Sequence, residues 1–174
     1  MTDRRRRFER EALPHLDAAY NLARWLTRSP PEAEDVLQEA LLLAYRGFDG
    51  LRGGEPRPWL LAIVRNSSMT WLKRHRNITA WEEFDDSMED PRSPQDDPES
   101  ALLASCDRQQ VHKAMEELPV EFREAIILRE LEGLSYKEVA IITAVPLGTV
   151  MSRLARGRDC LRRLLAAYSK ESLR

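Results

Sequence analysis

Between Leu147 and Arg163 lies a run of side chains with one chemistry in common. Thr149, Ser152, Arg156 and Arg163 recur three, four and seven residues apart, with Arg153 beside them. At about 100° per residue they gather on one side of a helix, with Arg153 at its edge. Leu147, Val150, Leu154, Leu161 and Leu165 take the opposite side. Hydroxyls and guanidiniums on one face offer donors to anionic oxygens and base edges. A guanidinium can bridge the acceptors of guanine, and a hydroxyl can meet bases or phosphates. Bond-breaking chemistry is not expected: Ser152 has no nearby histidine, no Gly-rich phosphate loop occurs, and no carboxylate pair sits in an apolar setting. His15, His75 and His112 share no ligand spacing with Cys106 or Cys160, so no metal or other cofactor is expected. The two cysteines read as small buried or half-buried hydrophobes.

The elements that must hold this face lie just upstream. Ser135-Tyr136-Lys137-Glu138 is a capping box: the serine hydroxyl can accept from the Glu138 amide while the glutamate reaches back. It predicts a short helix over 135–143, a turn at Ala144-Val145-Pro146, and a long helix from Leu147. A short capped helix, a tight turn and a longer helix with Arg and small polar residues in its first two turns form a helix-turn-helix arrangement. Without a ligand, the same pattern would be a helical hairpin with a solvated basic face. Before it, Val111, Met115 and Leu118 predict a helix stopped at Pro119. Phe122, Ile126/Ile127 and Leu131 predict another, terminated by Gly133.

The first half also reads as helical. Residues 8–27 carry Leu13, Leu16, Ala19/Tyr20, Ala23 and Leu26 at near-helical spacing, and Ser29-Pro30-Pro31 breaks the run. Next, Val36/Leu37, Ala40/Leu41, Ala44 and Phe48 form an apolar stripe, with Asp35, Gln38/Glu39, Leu42 and Arg46 on the other side. After a Gly/Pro turn region at 48–58, Trp59 opens a third predicted helix running to about Arg76. Its inward residues are Leu60, Ile63/Val64, Ser67 and Trp71. Trp59 and Trp71 lie on or near the apolar side, where core packing is expected rather than stacking. Arg4 to Arg7 read as a frayed, solvated tail that could add phosphate attraction.

Charge divides the chain. The 174 residues carry a formal net charge of −2. Residues 1–80 hold 14 Lys/Arg against 10 Asp/Glu, and residues 101–174 hold 12 against 10. Between them, WEEFDDSMEDPRSPQDDPES (81–100) has nine acids, one arginine and three prolines, the composition of a linker that cannot bury a core. Attraction to a polyanion follows local patches, so an acidic total does not oppose it. No apolar run approaches the ~20 residues of a membrane helix, and no apolar region follows the basic MTDRRRRFER, so a secretory signal is not expected. A cytoplasmic, all-α protein of two small helical domains joined by an acidic flexible linker is the expectation.

Several motifs in this order make the chain similar to bacterial RNA polymerase sigma factors of the extracytoplasmic-function type, which have two helical domains, sigma-2 and sigma-4. AEDVLQEALLLAYRGF (33–48) resembles their core-polymerase-binding helix, and PWLLAIVRNSSMTWLKRHR (58–76) their −10-element segment. LPVEFREAIILRELEGLSYKEVA and VPLGTVMSRLARGRDCLR resemble their −35-binding domain. The resemblance implies a sigma-2 domain over 8–77, a linker over 78–104 and a sigma-4 domain over 105–170. It implies a polymerase-docking set of Asp35, Gln38, Glu39 and Leu42, and a −10 set of Arg65, Asn66, Lys73, Arg74 and Arg76. The −35 set it implies is Lys137, Thr149, Ser152, Arg153 and Arg156. Core RNA polymerase, promoter DNA and an anti-sigma factor, often membrane-bound, are the implied partners, with no small-molecule substrate. Thr70 stands where many such proteins have Asp, Met151 where many have Lys, and Ala144 where Gly is frequent. Alanine there predicts a turn without positive φ.

Two other classes share parts of this pattern. A regulator could bind DNA alone through 135–158 while the first half dimerises or binds a ligand. A decoy could engage an anti-sigma protein and never touch DNA, leaving the basic faces dispensable.

Overall fold

The computed structural model describes residues 3–51, 53–75 and 108–171, and all its regular elements are helical. The expected linker over 78–104, Arg76 and Cys106 lie outside the described residues.

Helix α1 (Asp3–Ala12) corrects the expectation of a frayed tail. Arg4 donates to the Tyr45 carbonyl at 2.8 Å, lies 4.8 Å over the Tyr45 ring and pairs with Asp49 at 3.2 Å. Arg7 sits 5.0 Å over Phe48, and Phe8 meets Tyr45 and Phe48 edge-on. The cause is local: carbonyls at the end of the facing helix attract cations, and aromatic rings beside them hold the stems. Nor is 8–27 one helix. Pro14 has no N–H to continue the ladder, so a 3-10 turn, Leu13–His15, intervenes before α2 (Leu16–Thr27). Leu13 turns outward and is 53% exposed, contrary to its place in the predicted stripe.

α3 (Pro30–Gly47) begins with two prolines, whose missing amide hydrogens fall among the donors that a first turn leaves unbonded anyway. Val36, Ala40, Ala44 and the following Phe48 are buried as predicted. α4 (Pro56–His75) starts three residues before Trp59, because Pro56 and Pro58 also suit a first turn. Leu60, Leu61, Val64, Ser68 and Leu72 are buried around its circumference. One side packs on α2 and α3, and another packs on a helix from the second half.

In that half, α5 (Arg108–Glu117) precedes α6 (Val120–Ile126), which ends in a π-helical turn, Ile127–Leu131. Gly133, at φ 66°, lets the chain fold back so that the Leu134 amide reaches the Leu128 carbonyl at 3.1 Å. Leu131, expected inward, is exposed beside this reversal. α7 (Tyr136–Thr143) leads into α8 (Leu147–Glu171). Ala144, expected to avoid positive φ, has φ 56° and ψ 40°. The chain must reverse within three residues, and the left-handed cap directs the Ala144 amide back to the Ala140 carbonyl. Alanine adopts here what glycine adopts elsewhere, at roughly 1–2 kcal/mol. Val150, Leu154, Leu161 and Leu165 are buried as predicted, whereas Leu147 on the first turn is exposed. The apolar core is continuous through both halves.

Candidate nucleic-acid and protein interfaces

The capping box forms in both directions. The Glu138 amide donates to the Ser135 hydroxyl at 3.2 Å, and the Ser135 amide donates to the Glu138 carboxylate at 2.7 Å. The latter bond holds the Glu138 carboxyl below its ordinary range. α7 is thereby pinned at its start and α8 launched from a defined turn, completing the helix-turn-helix. Lys137 is exposed on α7. On α8, Thr149, Ser152, Arg153 and Arg156 are half-buried, and the Ser152 hydroxyl donates to the Thr149 carbonyl at 3.0 Å. Arg163 is exposed and pairs with Asp159.

The second surface lies on α3, opposite its buried stripe. Asp35, Gln38, Glu39 and Leu42 are all exposed, Leu42 at 57% with Leu43 beside it. Among the described residues, Leu42 is not part of the apolar core, although it is apolar and lies inside a polar, mostly acidic stripe. It has the character of an interface centre with a polar surround.

On α4, Asn66, Lys73 and Arg74 are exposed. Trp71 is half-buried and stacked with His75 at 4.4 Å and 15°, so one indole face is already covered. Trp59 is also half-buried, 6.2 Å from Phe48.

Arg65 is not with Asn66 in solvent. It donates bidentately to Glu124 on α6, at 2.8 and 3.0 Å. Arg153 approaches the same carboxylate at 3.7 Å. The Glu124 side chain is 0% exposed, Arg65 19% and Arg153 15%. Burial raises the Glu124 carboxyl above its ordinary value, and the hydrogen bond and charge of Arg65, then the charge of Arg153, oppose that rise. One arginine from each expected DNA-binding set is therefore brought to one buried acid. Arg57 reinforces the junction, donating to the Glu132 carbonyl at 2.7 Å and its carboxylate at 3.2 Å. The buried Arg123 donates to the Trp25 carbonyl in the first half and the Leu118 carbonyl in the second, at 3.1 and 2.8 Å. Trp25 also packs on His112, 4.7 Å between ring centres.

Glu124 was absent from the residues singled out by motif, yet it left a signal. It stands four residues after Val120, three before Ile127 and four before Leu128, so an amphipathic α6 would bury it. A carboxylate there demands a cationic partner. Its source, α4 in the other half, is not encoded in local spacing.

The described geometry has counterparts among known proteins. Residues 13–78 match Sigma-70 region 2, and residues 108–161 match Sigma-70, region 4. The chain is 36% identical to the ECF RNA polymerase sigma factor SigE of Mycolicibacterium smegmatis over 163 residues, which are 91% of this chain and 61% of that protein. It is 36% identical to the RNA polymerase sigma-H factor of Pseudomonas aeruginosa, covering 81% of this chain and 77% of that one. The corresponding values for the ECF RNA polymerase sigma-E factor of Escherichia coli are 34%, 82% and 79%. Among solved structures, the sigma factor RpoE in complex with the anti-sigma factor NepR from Bartonella quintana superposes with a TM-score of 0.70 at 31% identity. That match covers 91% of this chain and 96% of that one. CnrH, solved with the cytosolic domain of CnrY, shares the fold at 24% identity, with a TM-score of 0.67 over 94% and 90% of the two chains.

Proposed function

This chain belongs to the extracytoplasmic-function RNA polymerase sigma factors, and from that membership we propose that it binds core RNA polymerase and directs it to promoters. The observation that carries the reading is the α3 stripe. A helix-turn-helix serves many regulators, but Leu42 exposed among Asp35, Gln38 and Glu39 supports a protein partner for the other half. In this reading residues 8–77 form the sigma-2 domain, which docks through that stripe. Arg65, Asn66, Lys73, Arg74 and Arg76 then engage the −10 element, where phosphate contacts offset the cost of unstacking a base. Residues 105–170 form the sigma-4 domain, with Lys137, Thr149, Ser152, Arg153 and Arg156 toward the −35 element. Residues 78–104 connect them. Two weak DNA contacts and one protein contact, tethered together, give affinity through effective concentration.

The protein works in the cytoplasm without a catalytic step or small-molecule substrate, and an anti-sigma factor restrains it. The likeness to a chain solved with NepR supports that restraint. Run-off transcription with purified chain and core polymerase, on the region upstream of its own gene, tests the reading. We expect specific transcripts that disappear with Asp35→Ala plus Gln38→Ala, and separately with Arg153→Ala plus Arg156→Ala. No binding to core polymerase would overturn it.

A further inference from the structure

We infer that Met151 selects a thymine in the DNA that α8 approaches, by covering the 5-methyl group on the major-groove edge of that base. The inference rests on the reading of α8 as the helix that meets the −35 element, and deepens it.

The first turns of α8 carry two kinds of side chain. Thr149, Ser152, Arg153 and Arg156 are hydrogen-bonding groups, all half-buried. Leu147 and Met151 are apolar, one turn apart, and 42% and 41% exposed. Neither belongs to the apolar core. At about 100° per residue, Gly148 and Ala155 fall between Met151 and Ser152 around the helix. Gly148 has no side chain, and a Cβ there would meet nothing within 4 Å. The long thioether thus stands beside a low strip that lets the helix come close to a partner. α8 leaves α7 at 99°, and a helix-turn-helix of this geometry offers the N-terminal turns of its second helix to base edges.

The chemistry of Met151 limits what it can recognise there. It has no N–H or O–H to donate to a phosphate or to the acceptors of guanine and adenine, and its sulfur accepts weakly. Thymine alone among the four bases presents a methyl group in the major groove, and an unbranched, polarizable side chain moulds readily to such a group. The polar side chains around it include Lys137, Arg153 and Arg156, which complement a polyanion. Phosphate contacts of that kind fix the register of a protein on DNA but do not read its sequence, so the base preference at this position falls to Met151.

The test uses the full chain with core polymerase, on fragments from upstream of its own gene in which the base pairs around −35 are randomised. Run-off transcripts are expected to be enriched in thymine at one position on one strand. Replacing that thymine by deoxyuracil removes the methyl group and keeps the pairing. Wild-type transcription at limiting holoenzyme is expected to fall about fourfold, the factor that burial of one methyl group supports. Met151→Ala is expected to transcribe the thymine and deoxyuracil fragments equally, with its other base preferences intact. Leu131→Ala, which removes an exposed apolar side chain outside the helix-turn-helix, should behave as the wild type. Transcripts without thymine selection, or a wild type indifferent to the methyl group, would overturn the inference and leave the sigma-factor reading standing. So would a Met151→Ala chain that loses transcription from every fragment alike, since Met151 would then meet a protein rather than a base. No specific transcript from any fragment would overturn both.

Discussion

Gly157 shows how one hydrogen atom sets the spacing of two helices. It is buried in the middle of α8, where glycine is a poor helix former. A Cβ there would lie 2.9 Å from Ile126 Cδ1 and 3.1 Å from Phe122 Cβ on α6. The isoleucine terminus can rotate aside. The phenylalanine Cβ is fixed to its backbone, so relief requires moving α6 from α8. Overpacking of this sort costs about 1–3 kcal/mol, against roughly 1 kcal/mol regained from helix propensity. Gly157→Ala is therefore expected to lower unfolding free energy by about 1 kcal/mol in a urea titration, and Gly157→Leu by considerably more. Because Glu124 rides on α6, the same shift would disturb its approach to Arg153. Ala144 is the opposite case, a side chain accepted at positive φ because the turn between α7 and α8 has no room for a longer route.

The start of α7 positions α8, and its stability is coupled to pH. Ser135→Ala removes the acceptor for the Glu138 amide and should cost about 1 kcal/mol near neutrality. The Glu138 carboxyl is held low by the Ser135 amide. A depressed carboxyl contributes stability that is present above its unfolded value, about 4.3, and is lost as pH falls through its folded value. The stability difference between wild type and Glu138→Gln is thus expected to shrink as urea titrations move from pH 7 into that acidic range. An unchanged difference would mean that the carboxylate does not cap the helix. α4 illustrates a different dependence. Its residues are apolar around the circumference because it serves two neighbours, α2 and α3 on one side and α7 on the other.

The continuous core makes the two halves one cooperative structure while the junction is closed. Amide hydrogen exchange in α4 and α7 is expected to report one shared opening free energy in the wild type and two distinct ones in Arg57→Gln. Equal values in both would place the coupling elsewhere than at the junction. The stripe of α3 through which polymerase docking is proposed is exposed in this structure.

Local chemistry alone determined much of this protein. The capping box, the proline and glycine stops, the buried stripe of α3 and most of the buried face of α8 are short-range patterns, readable because a helix brings residues three and four apart together. Leu42 stood out for the same reason, being apolar on the wrong side of its helix. Misplaced boundaries were also local: Pro14 interrupts the first run, and Pro56 begins α4 before Trp59 does. The tertiary structure decided what no window of sequence contains. Glu124 meets Arg65 from 59 residues away, Arg123 meets the Trp25 carbonyl from 98, and Arg4 meets the Tyr45 carbonyl from 41. A buried charge announces that it needs a partner, because low-dielectric surroundings penalise it alone. Which partner it finds depends on how whole helices pack.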